Sequence, residues 1–133
     1  MSREKDPKVW LRYAESDRQA AKPLLETGFY EHCAFHCQQA IEKLFKAIIV
    51  KQTGERPPHV HDLFTLLRKI KGMTTTEDIE RAIGRIDGYY VGSRYPLDVA
   101  DESAFKRPLA EAAVQQTEVI FQWFLTQINF DDT

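Results

Sequence analysis

From Tyr30 to Gln52 the chain reads YEHCAFHCQQAIEKLFKAIIVKQ, with no proline or glycine, Gly28 before it and Gly54 and Pro57-Pro58 after it. It is the longest uninterrupted helical pattern in the sequence. At about 100° per residue, Tyr30, Ala34, Cys37, Ile41, Leu44, Phe45 and Ile48 fall on one face. That stripe is wide enough to seat the helix in a core. The opposite face carries His32, Gln39, Lys43 and Lys46, yet it also carries Phe35 and Val50, with Ile49 at its edge. A helix that is apolar on two sides needs cover on both. The rest of this chain and a second copy of it are the two sources, and the pattern predicts a homodimer.

The other segments read as helices arranged around this one. Asp6-Pro7 starts a helix, since proline suits the first helical position, and Trp10, Tyr13, Ala14, Ala21, Leu24 and Leu25 form its stripe. Asp17 interrupts that stripe. A carboxylate there needs a partner, for which Arg94, Lys43 and Gln38 are the candidates in that order. Pro23 predicts a kink or an early end. His61-Asp62 opens a short helix that closes with basic residues before Gly72, and Thr74-Thr75-Thr76-Glu77 has the form of a capping box for a helix to about Tyr90. Val91 to Ser103 reads as a loop, with Tyr95 held extended by Pro96. A last helix begins between Ser103 and Pro108 and runs to about Asn129. No strand period occurs. The expected fold is all-α, a single domain over residues 1–133 forming an up-and-down bundle of four to five helices.

Composition bounds the function classes. The net charge of −2 supplies no global basic field, so a polyanion would have to be held by a local patch. The charged N-terminus leads into no apolar segment, and Ala47 to Val50 is far too short to span a bilayer. These features predict a cytoplasmic protein with no membrane partner. Cys33 and Cys37 lie one helical turn apart, with Cβ atoms about 6 Å from each other. A disulfide needs roughly 3.5–4.5 Å, so two reduced core thiols are expected. His32, Cys33, His36 and Cys37 share a short stretch, but the histidines point roughly 100° away from the cysteines, and a zinc site needs convergent ligands. No metal and no cofactor is expected.

The run Gln38-Gln39-Ala40-Ile41-Glu42-Lys43-Leu44-Phe45-Lys46-Ala47, followed in order by His61-Asp62-Leu63 and Ser93-Arg94-Tyr95-Pro96, resembles the signature of the HEPN family (higher eukaryotes and prokaryotes nucleotide-binding). The resemblance covers most of the chain and implies a helical bundle that commonly dimerises. For small prokaryotic members it implies a partner of a minimal nucleotidyltransferase, in a toxin–antitoxin-like pair. Ribonuclease members carry an Arg-x4-His motif late in the chain. Here Arg94 is followed by no histidine, and the match of Arg56 with His61 lies in an early connection. The missing late histidine removes the obvious general acid/base.

The residues themselves leave Arg94, Tyr95, Gln39, Lys43 and Lys46 as ligand-binding candidates. A guanidinium can hold a phosphate bidentately and a tyrosine can stack on a base, while Gln39, Lys43 and Lys46 form a polar ridge on the central helix. Against this stand a structural Arg94 and a solvated ridge with a Glu42–Lys46 pair. Three function classes stay open. The first is a homodimeric nucleotide- or RNA-associated binding module. The second is a metal-independent endoribonuclease with an unidentified base. The third is a purely structural dimeric interaction protein.

Overall fold

The computed structural model describes residues 2–94 and 106–131, with side chains as far as Tyr89 and again from Lys106. Every regular element among them is helical. After a 3-10 turn at Arg3–Lys5 come α1 (Pro7–Glu26), α2 (Tyr30–Thr53), α3 (Leu63–Lys69), α4 (Glu77–Arg94) and α5 (Arg107–Gln127). The described residues form an all-α bundle of five helices.

Local chemistry explains most of the boundaries. Asp6 caps α1, its side chain accepting from the Lys8 amide at 2.9 Å, with Pro7 at the first position. Pro23 does not stop α1, which continues to Glu26. Pro23 and Gln19 are both exposed, so the carbonyl that loses its amide partner can turn to solvent. Gly54 (φ 71°) ends α2 in the left-handed region, its amide reaching the Val50 carbonyl at 2.8 Å. Asp62 caps α3 through the Thr65 amide at 3.0 Å, and Thr76 Oγ caps α4 through the Ile79 amide at 3.2 Å.

One boundary differs from expectation. α4 runs to Arg94, four residues beyond Tyr90, because Pro96 restricts only the residue directly before it and Gly92 weakens a helix without breaking it. The remainder of the expected loop, including Tyr95, lies outside the described residues.

Helix α2 packs against all four of the other helices, and α5 closes the bundle against α1, α2 and α4. The surface of α2 therefore divides into a strip facing α5, two flanks facing α1 and α4, and an outward strip between those flanks. The strip towards α5 is the core. Ile41, Leu44, Phe45, Ile48, Ile120 and Phe124 are fully buried, and the Phe45 and Phe124 rings lie 4.9 Å apart between centroids.

The outward strip is closed over its C-terminal half. Ile49 and Val50 are only 4% and 1% exposed, so this chain covers them itself. The expectation that a second copy would shield those two side chains is thus corrected. Three further contacts close this end of the helix. Trp10 lies over the Lys46 ammonium at 5.7 Å, and Arg56 pairs with Glu4 at 3.0 Å. Gln52 and Lys71 exchange two hydrogen bonds of 2.8 and 3.0 Å that tie the end of α3 to the end of α2.

Phe124→Ala removes the ring that meets Phe45, and such a core truncation costs about 3–5 kcal/mol. The urea midpoint should fall accordingly with an unchanged m-value. A loss below about 1 kcal/mol would contradict a fully packed position.

Candidate functional site on the outward strip of α2

The polar side chains of α2 fall into two groups. Towards the closed end, Gln38, Glu42 and Lys46 are buried. Glu42 accepts from Lys46 Nζ at 3.0 Å and faces His61 Nδ1 at 3.1 Å. The Gln38 amide donates to the His61 carbonyl at 3.0 Å, and Gln39 Nε2 donates to Gln38 Oε1 at 2.8 Å. A buried ammonium is tolerable only beside a carboxylate, and the Trp10 ring face adds a second favourable contact. Lys46 is therefore enclosed, and the solvated three-residue ridge expected from the sequence does not include it.

Towards the open end, His32 is exposed, while Phe35, His36, Gln39 and Lys43 are half-buried. Beside them Asp17 enters from α1 and is 8% exposed. One oxygen of its carboxylate meets His36 Nδ1 at 2.8 Å and the other accepts from Lys43 Nζ at 2.5 Å. Two donors on two oxygens offset the cost of burying the charge. Lys43 is one of the expected partners of Asp17; His36 is not. Beside a carboxylate, Nδ1 carries the ring proton of a neutral histidine, which leaves the lone pair on Nε2.

Of the other candidates, Arg94 is the last residue of α4. Its side chain and the whole of Tyr95 lie outside the described residues. Arg56 and His61 do not act as a unit, since Arg56 serves Glu4 and His61 serves Glu42. Cys33 and Cys37 are free and buried. Among the described residues no group of three or more His, Cys, Asp and Glu is placed to hold a metal ion.

A feature that periodicity could not reveal joins α3 to α4. Asp87 Oδ1 accepts from the Leu63 amide at 3.2 Å. Burial, then a hydrogen bond with Asp62 and the charges of Asp62 and Glu42, push the Asp87 carboxyl up to about 6. The same contact, with Thr65, holds Asp62 below the usual carboxylate value. Of the two acids, Asp87 is the one that takes up a proton first as the pH falls.

With this geometry in place, comparison with known proteins decides the family. The model of the HEPN domain matches residues 7–128. The chain belongs to the HEPN domain family. Two solved structures share its fold. TT1696 from Thermus thermophilus aligns with a TM-score of 0.82 at 24% identity, over 92% of this chain and 98% of that one. ST0689, an archaeal HEPN homologue, aligns with a TM-score of 0.74 at 25% identity, over 97% and 100%. A Methanocaldococcus jannaschii protein named "Putative toxin MJ1304" is 40% identical over 43 residues, which is 32% of this chain and 28% of that protein. The HEPN bundle described here is thus shared along its length with the solved structures, whereas the match to MJ1304 spans little more than a quarter of the relative. No helix among the described residues is long and apolar enough to cross a membrane.

The Asp62–Asp87 pair gives this HEPN domain a pH signature. The raised Asp87 value means that its stabilising contribution is complete below about pH 4 and is lost as pH rises through about 6, leaving a constant penalty above. Asp87→Asn keeps both an acceptor for Leu63 and a donor for Asp62. It should stabilise the domain at about pH 8 by on the order of 1 kcal/mol, solvent screening of a half-buried group included. The advantage should vanish towards about pH 4, where wild-type Asp87 is itself neutral. Melting curves of both proteins across that range check this, and a pH-independent difference would refute it.

Proposed function

We propose that this chain is a toxin-like HEPN binding module, a homodimeric partner of a minimal nucleotidyltransferase that holds a nucleotide or RNA on the outward strip of α2. The observation that carries this reading is the half of the strip left open between α1 and α4. It presents His32, Phe35, His36, Gln39 and Lys43 together on the helix that bears the family signature. A half-exposed ring and amide with an ammonium beside them suit a base and a phosphate. Arg94, at the end of the helix that forms one wall, is assigned to the phosphate in the same reading, with Tyr95 following it. The local likeness to a protein named as a toxin supports the toxin side of the pair, and the family resemblance supports the nucleotidyltransferase side.

Titration of the purified protein with ATP and with fluorescent single-stranded RNA at several salt concentrations tests the reading. Arg94→Ala and Lys43→Ala should each weaken RNA binding and flatten the dependence of log K on log salt by about 0.7 per lost phosphate contact. Lys46→Met should leave both unchanged in the folded fraction, because Lys46 is enclosed. Binding by the two variants equal to wild type would remove the strip as the site.

The homodimer rests on other surfaces than Ile49 and Val50. Val119 is 50% exposed and Leu125 38%, and with Trp123 they flank the shallow grooves along α5. Sedimentation at micromolar concentration should show a dimer, and Val119→Glu should shift it to monomer with little change in melting temperature. A monomeric wild type would refute the dimer.

A further inference from the structure

We propose that Gln39 and His36 read the Watson–Crick edge of a guanine base, so that the open half of the strip selects guanine, free or in a single strand. This rests on the binding role proposed above and narrows it: Lys43 stays with the phosphate, and these two side chains choose the base.

A carboxamide has a donor end and an acceptor end, and its neighbours decide which one faces out. The order here starts at a backbone carbonyl, which can only accept. Gln38 Nε2 donates to the His61 carbonyl at 3.0 Å, so Gln38 turns its oxygen the other way. That oxygen accepts from Gln39 Nε2 at 2.8 Å, and a Glu42 carboxylate oxygen lies 3.4 Å from the same nitrogen. Reversing the Gln39 amide would set its oxygen against two acceptors. The nitrogen of Gln39 is therefore held inward, and Oε1 is left for the open side. Gln38 is fully buried and cannot exchange these bonds for water, which keeps the direction fixed.

His36 arrives at the same polarity by another route. Its Nδ1–H is engaged by Asp17 at 2.8 Å, which leaves a lone pair on Nε2. Neither Nε2 nor Gln39 Oε1 has a hydrogen-bond partner among the described residues. The two residues are three apart on α2, with Cβ atoms about 5–6 Å from each other, and both are half-buried. The strip thus offers two neighbouring acceptors. Of the RNA bases, guanine alone carries two adjacent donors on its Watson–Crick edge, N1–H and the N2 amine. Adenine and cytosine place an acceptor beside their amine, and the N3–H of uracil lies between two carbonyls. A guanidinium from a protein also offers paired donors, but the Lys43 ammonium, one turn from Gln39, repels a cation. Base pairing hides this edge in a duplex, so a strand must be single to be read.

Calorimetric titration of the full chain tests this with guanosine, inosine, 1-methylguanosine and adenosine monophosphates, and with uridine-rich oligoribonucleotides carrying one guanine or one adenine. Guanosine monophosphate should bind at least about tenfold more tightly than adenosine monophosphate. Inosine monophosphate, which lacks the N2 amine, should fall between them, and methylation of N1 should remove most of the preference. Gln39→Leu and His36→Ala should each reduce the guanine-to-adenine ratio. The base analogues need no variant, so the proposal stays testable if Gln39→Leu folds poorly. A guanine oligonucleotide held more tightly than its adenine counterpart, with the free nucleotide unbound, supports the reading and makes a strand the source. Equal affinities for guanine and adenine ligands, or a full preference retained by folded Gln39→Leu, would overturn guanine selection and leave the binding function standing. Folded wild type that binds none of these ligands would overturn both.

Discussion

The whole structure depends on enclosing one helix that is only half apolar. α2 is surrounded by α1, α5 and α4, with α3 also packed against it, yet it carries Gln38, Glu42, Lys43 and Lys46 within three turns. Burying any of these unpaired would cost several kcal/mol, comparable with the net stability of a small domain. Each is therefore met by a group from a specific neighbour: Asp17 from α1, Trp10 from the same helix, His61 from the connection into α3. These polar contacts also limit how the bundle can be assembled. A one-residue slip of α1 along α2 would keep most apolar contacts but would separate Asp17 from both of its partners.

Much of this was legible in the chain. The period of α2, the acidic start of α3 at Asp62 and the glycine end at Gly54 are local signals, and each stands where its chemistry puts it, whereas the capping box is displaced: Thr76 rather than Thr74 caps α4, and Glu77 is the helix's first residue. Asp17 was legible in a different way, as a violation of its own stripe, and the violation required a partner. Which partner was not legible, because the facing residue depends on how α1 and α2 are set against each other. His36 read in sequence only as part of an unconvincing metal cluster. Its role appears once α1 places a carboxylate opposite it. Asp62 and Asp87 show the same limit, since their coupled ionisation joins residues 25 apart through the docking of α3 on α4.

Lys46 and Lys43 show why a helical wheel alone could not define the site. They are three residues apart on the same outward strip, and by angle they differ by only about 60°. The difference lies along the helix axis. Lys46 falls beneath Trp10, where α1 crosses, and a lysine there is held by Glu42 as part of the fold. Lys43 falls just short of that crossing and keeps a quarter of its side-chain exposure. The boundary between scaffold and candidate site is thus less than one turn wide, and it is drawn by segments distant in sequence.

That boundary bears on how the domain can be both stable and available to a ligand. The polar network at the closed end is satisfied internally, so nothing there gains by meeting a ligand. At the open end Asp17 is equally satisfied, but its two donors each keep a face towards solvent. Satisfying the carboxylate from one side and leaving the donors accessible from the other lets a buried acid fix the positions of two partly exposed side chains. An amide such as Gln38 in the place of Lys43 would satisfy the same oxygen of Asp17 without the opposite charge, and so would hold a buried carboxylate less firmly.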